Sequence, residues 1–145
     1  MSLVLFLFGH VLSSLLVYLN HRFVLHGKLG KLPLLKDFRQ LHIAHHRHAY
    51  DDERNLHFEP LWLTGSLFFI IGGIGILVNG YLALGMASFA GLYAYRHKRI
   101  HNKDESSYFS KHHRYHHTRN GRVNFSGIYP WIDKLFGTFV DSSCL

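Results

Sequence analysis

PLWLTGSLFFIIGGIGILVNGYLALGMASFAGLYAY, residues 60–95, runs for 36 residues without a charged side chain. As one helix it would be about 54 Å long, whereas the hydrocarbon core of a bilayer is only about 30 Å thick. Asn79-Gly80 near its middle is a strong turn signal, so the run divides into two spans, 61–78 and 81–97. Both are short for transmembrane helices, which favours local bilayer thinning or extension into the headgroup zone. Working outward, Ser2 to Leu19 is also uncharged and makes a further span over about 3–20. The chain reads as all-α: an integral membrane bundle of about three transmembrane helices with a cytoplasmic, histidine-rich helical cap. Its length fits one domain over 1–145.

The charges orient this bundle. All 16 Lys and Arg lie in 20–59 or 96–145, seven in the first stretch and nine in the second. Basic residues mark the cytoplasmic side, so the Asn79-Gly80 turn faces away from it and the polar parts, 21–59 and 97–145, face inward. The expectation is a multi-pass membrane protein. Its net charge of +7 follows from this rule and suits anionic membrane lipids. No nucleic-acid-binding motif accompanies it, so nucleic acid is not an expected partner. Residues 1–19 lack the basic n-region of a signal peptide, and His21 follows at once, so a retained anchor is expected. The single cysteine, Cys144, excludes a disulfide framework, a four-cysteine zinc site and an iron–sulfur cluster. It does not sit in a prenylation box either.

Ten of the 14 histidines fall in four groups: His21/His26, His42/His45/His46, His97/His101 and His113/His116/His117. Each group lies just outside an apolar segment. Imidazole is the commonest metal ligand near neutral pH, and ten exceed what one ion can take, so two metals at a membrane surface is the economical reading. Packed or solvent-facing histidines are the plain alternative. Ten neighbouring rings without metal, however, would leave buried donors unpaired or repel once protonated.

Local helix geometry supports convergence. An H-x2-H-H triplet shows its three rings within about 100° of arc, and His97/His101 form an i,i+4 pair. His21 and His26 are about 140° apart on an α-helix, so they cannot share a target without a break. Gly27 suggests that His26 sits at or beyond a frayed end. A short helix is expected from Asp37, with Asp37 as N-cap, and another capped by Ser106 or Ser107. Imidazole suits zinc, copper, iron and nickel alike. The chain lacks the Glu-x-x-His pairs of di-iron carboxylate bundles and the H-E-x-x-H of metalloproteases, which leaves an all-nitrogen site.

The order of these motifs, with HRFVLHG at 21–27, HIAHHRHAYDDERNLHFEP at 42–60 and HHRYHHTRNGRVNFSGIYPWIDKLFGT at 112–138, resembles the fatty acid hydroxylase superfamily of lipid hydroxylases, sterol-methyl oxidases and related desaturases. The likeness covers about residues 17–140. It implies a di-metal centre on His21, His26, His42, His45, His46, His97, His101, His113, His116 and His117. That centre would hold two iron ions, with zinc able to replace them in purified material, and would activate O2 to oxidise a lipid C–H bond. The resemblance implies an enzyme, a di-iron lipid hydroxylase, with desaturation on the same metals as the nearest alternative. A non-redox metal-binding membrane protein is the alternative from another class. Three spans are fewer than the better-known lipid hydroxylases of the family have. No cytochrome b5-like domain precedes the motifs and no flavin or nicotinamide motif is present, so a separate electron-donor protein is expected.

Other residues carry lesser expectations. His112, beside the last triplet, and His48 and His57 read as non-ligands. His10 lies in the first span, about 16 Å from His21 along a helix, and is expected to bond Ser13 or Ser14. His10, Ser14, Val17 and His21 form one stripe, and Met86, Phe89, Ala90, Tyr93 and His97 another. Between them an acyl or isoprenoid chain could rise to the metals. Gly72, Gly73 and Gly75 suggest close helix packing. Asp51, Asp52 and Arg54 are candidates for headgroup contacts, Trp131 for an interface anchor and Asp133 for orienting a ligand histidine.

Overall fold

The computed structural model describes residues 2–49, 70, 72, 73, 75, 77–101 and 107–143. Its regular elements are all helical: α1 (Ser2–Leu19), a π-helical turn (Asn20–Leu25), a 3-10 turn (Leu29–Lys31), α2 (Lys36–His48), α3 (Gly80–His101), α4 (Tyr108–Thr118) and α5 (Pro130–Leu135). Taken together with the π turn, α1 forms a 24-residue helix with a mean hydropathy of 2.1. Among the described residues it alone is long and apolar enough to cross a membrane. The expected span 81–97 is helical but richer in Gly, Ala, Ser and Tyr. The span 61–78 lies largely outside the described residues, though residues 70, 72, 73, 75 and 77 are helical.

Side-chain size explains how α1 meets α3. Leu3, Val4, Leu7, Phe8, Val11 and Leu16 of α1 are exposed, while Gly9, Ser13, Ser14 and Tyr18 are buried. A Cβ on Gly9 would run into the Leu82 carbonyl, and one on Gly85 into the Phe6 carbonyl. The absent side chains therefore let the two backbones touch, as small residues do in membrane helix pairs. The helices run in the same direction, both ending at the histidines. Gly75 likewise comes close to Ala83. Asn79 does not merely turn the chain: its side-chain oxygen accepts from the amides of Tyr81 and Leu82, capping α3.

This packing corrects the expected lipid passage. The seam between the stripes is filled, because His10 bonds Ser88 across it and meets the Phe89 ring edge-on at 5.4 Å. Ser14 bonds the Val11 carbonyl of its own helix. His10 does not bond Ser13 or Ser14 as expected. It finds partners on other elements because an imidazole facing a helix seam reaches across it more readily than back to its own turn.

The remaining elements cover the ends of α1 and α3. Helix α2 begins at Lys36 without a side-chain cap, so Asp37 sits in its first turn instead of capping it. There its charge still favours the helix dipole. Ser107 caps α4 as expected, accepting from the Ser110 amide. After α4 the chain folds back: Phe125 and Ile132 bury themselves against Tyr18, and Pro130 starts α5. Trp131 is about half exposed.

Candidate metal centre

His21 and His26 are reconciled by a change of helix type. Where α1 would continue, the chain widens into a π turn, and the His26 amide donates to the His21 carbonyl at 3.0 Å, an i→i+5 bond. Residues five apart are thereby stacked on one side, with ring centroids 4.9 Å apart. No frayed end is needed. The single π turn here is of the kind that often marks functional sites.

The ten histidines named from the sequence form two groups of five. His21, His26, His42, His46 and His116 make the first, and His45, His97, His101, His113 and His117 the second. Within each group the available ring nitrogens lie within 4.8 Å of one another, a spacing that could hold a metal ion. Each H-x2-H-H triplet is divided between the groups. On α2, His42 and His46 face the first and His45 the second; on α4, His113 and His117 face the second and His116 the first. The groups share a wall, where the rings of His46 and His117 stack at 4.0 Å.

Hydrogen bonding alone cannot account for the first group. Nε2 of His26 lies 2.8 Å from Nε2 of His42 and 3.1 Å from that of His46, and the latter two are 3.1 Å apart. An imidazole nitrogen carries either an in-plane proton or an in-plane lone pair. Around a triangle these cannot alternate, so at least one contact sets like against like. A cation takes all three lone pairs at once. Two nitrogens each about 2.1 Å from one ion, at right angles, are about 3 Å apart, close to the spacing found.

The opposite sides of the rings fix their tautomers. Nδ1–H of His21 donates to the Phe125 carbonyl at 2.6 Å and Nδ1–H of His116 to the Val123 carbonyl at 2.7 Å. In the second group, Nδ1–H of His101 donates to the Ala49 carbonyl at 3.1 Å. Each bond leaves Nε2 unprotonated and facing the group, as ligating histidines commonly do. Burial holds the rings neutral. It brings His26 down to about 4, with Arg39 adding to the effect, and His46 to about 3, with His26 and His45 adding to it. Burial and neighbouring histidines also push His42, His113, His116 and His117 well below the usual imidazole range.

His112 belongs to neither group. It is fully buried, and its Nε2 meets Asp133 at 3.0 Å. Asp133 therefore does not touch a member of either group, as was expected of it. Its Oδ1 accepts from the Phe125 amide at 2.8 Å and the Thr138 hydroxyl at 2.7 Å. Its Oδ2 accepts from the Ser126 amide at 3.0 Å. Burial alone would raise its pKa, but bonds from His112, Ser126 and Thr138 outweigh that and hold it low. The carboxylate thus pins the turn whose Phe125 carbonyl receives His21. Asn124, with φ of 57°, ties the same turn to Val140 by two hydrogen bonds. Backbone carbonyls left no trace in the motif, although Asn124 and Asp133 did.

His48 is half-buried on α2 and stands in neither group. His57, Asp51, Asp52 and Arg54 lie outside the described residues. Tyr93 was read as lining a passage; its ring instead stacks on His97 at 5.5 Å, with the planes 14° apart.

The family model described as fatty acid hydroxylase matches residues 6–138. No curated protein and no solved structure matches the chain.

Proposed function

Since the chain belongs to the fatty acid hydroxylase family, we propose that it is a multi-pass membrane enzyme. It hydroxylates a C–H bond of a lipid, whether a fatty acyl, sterol or isoprenoid chain. In this reading His21, His26, His42, His46 and His116 hold one iron, and His45, His97, His101, His113 and His117 the other. The iron pair, when bound, supplies the oxidising power, drawn from O2 and from electrons brought by a separate donor protein. The observation that carries the reading is the sorting of ten scattered histidines into two complete groups.

The chain's own contribution is positional. Buried, neutral rings present lone pairs at physiological pH. Carbonyls of Ala49, Val123 and Phe125 keep three rings turned, so nothing need reorganise when metal binds or changes charge. The all-imidazole set places no side-chain nucleophile or carboxylate base among the ligands, which suits oxidation of an unactivated carbon better than hydrolysis. The exposed apolar face of α1 embeds the chain in lipid, and the basic segments 20–59 and 96–145 set the site on the cytoplasmic side.

Lipid profiling of cells expressing the chain, against cells expressing the His45→Ala, His116→Ala double variant, tests this. The intact chain should produce a lipid heavier by one oxygen, and the variant, altered in both groups, none. A product lighter by two hydrogens would assign desaturation instead. Identical lipid profiles from a chain that still binds metal would contradict an enzymatic role.

A further inference from the structure

We propose that Tyr129 is a redox-active tyrosine: an aromatic relay links it to the second histidine group, and His10 receives its phenolic proton. The inference rests on reading the histidine groups as an O2-reactive metal centre.

His10 sits midway along an uncharged helix, where an ionisable ring is costly and invites a functional account. Both ring nitrogens are engaged: Nδ1 is 2.8 Å from Ser88 Oγ and Nε2 is 2.8 Å from the Tyr129 hydroxyl. The direction of these bonds follows from Ser88. Its hydroxyl donates to the Gly85 carbonyl at 2.7 Å, so its oxygen accepts from His10 Nδ1–H. The neutral ring then offers a lone pair at Nε2, and Tyr129 O–H donates to it. A phenol that loses an electron in an apolar setting needs a base for its proton, and here one is already bonded to it.

The route for the electron is a run of ring contacts. Tyr129 lies 5.9 Å from Phe89, Phe89 lies 6.1 Å from Tyr93, and Tyr93 stacks on His97 at 5.5 Å. Phe89 is almost wholly buried. The contacts run from a member of the second group to Tyr129, the tyrosine bonded to His10 among the described residues.

With no lipid in place, Tyr129 would give up one electron through Phe89, Tyr93 and His97 to the oxidised metal pair that the histidine groups would hold. The O–H bond breaks and its proton forms an N–H bond at His10 Nε2, leaving a neutral phenoxyl radical beside an imidazolium. A thiol-class reductant from solution then returns the electron, and His10 returns the proton. The relay would drain an oxidising equivalent that would otherwise attack the ligand rings.

The test loads the purified full-length protein with iron(II), admits O2 without lipid, and follows iron oxidation alongside the electron paramagnetic resonance spectrum. The wild type should give a neutral tyrosyl signal with an exchangeable proton coupling that deuterium oxide removes. Tyr129→Phe and His10→Gln should lose the signal, whereas Tyr95→Phe, altered at an exposed ring on α3, the helix of Phe89 and Tyr93, should keep it. The wild-type spectrum and its solvent exchange stand even if a variant misfolds. Iron oxidised without a tyrosyl signal, or a signal that persists in Tyr129→Phe, would overturn the relay and leave the metal reading intact. Iron that is neither bound nor oxidised would overturn both.

Discussion

Replacing Asp133 with Asn is expected to release metal from one histidine group while the other keeps its ion. The carboxylate accepts from two amides, a hydroxyl and the His112 ring. An asparagine of the same shape would turn an NH2 toward at least one of those donors. The turn at 123–126 would have to move, and its two carbonyls receive His21 and His116, both in the first group. The second group takes its one carbonyl partner among these bonds from Ala49, on a different segment. Loss of an outer partner of a ligating histidine typically weakens metal binding by about 10–100-fold. Titration with a competing chelator should therefore show one ion leaving early and one unchanged. Equal weakening of both would assign Asp133 a purely structural part, and no weakening would give it none.

Acid should release metal and destabilise the fold together. His26, held to about 4, and His46, held to about 3, both start from an ordinary value of 6.5. His42, His113, His116 and His117 shift the same way. Below 6.5 the unfolded chain takes up protons that the folded chain refuses, so stability falls as pH falls, and continues to fall until the folded-state values are reached. Each such histidine contributes a slope of up to about 1.4 kcal/mol per pH unit in that window. Bound metal competes with the same protons and steepens the dependence. Melting temperature and metal content of the purified protein, followed from about pH 7.5 to about pH 5, should drop in step. A flat profile for both would mean that these rings are not held neutral by the fold.

How much was legible depended on whether side chains or backbone did the work. The ten histidines were readable because a site able to hold metal through nitrogen demands that residue type. Their division was hidden, since a triplet on one helix face does not say that its middle member serves a different group. The turn at His21–His26 was misjudged because an α-helix was assumed, and a π turn costs too little in sequence to announce itself. The carbonyls of Ala49, Val123 and Phe125 belong to no residue type at all. The stripes of His10, Ser14, Val17 and His21 and of Met86, Phe89, Ala90, Tyr93 and His97 were taken for the walls of a passage because two facing stripes can signal room or contact. Backbone approach decides for contact. His10 was paired with its neighbours in sequence, while its actual partner, Tyr129, lies 119 residues away.

Counting metal in the purified protein, together with X-ray absorption at the metal edge, tests the account most directly. Two transition-metal ions per chain are expected, each in a nitrogen-rich shell at about 2.0–2.1 Å, falling toward zero in the His45→Ala, His116→Ala variant. A wild-type chain that carries no stoichiometric metal, or one whose ions are held mainly by sulfur, would contradict it.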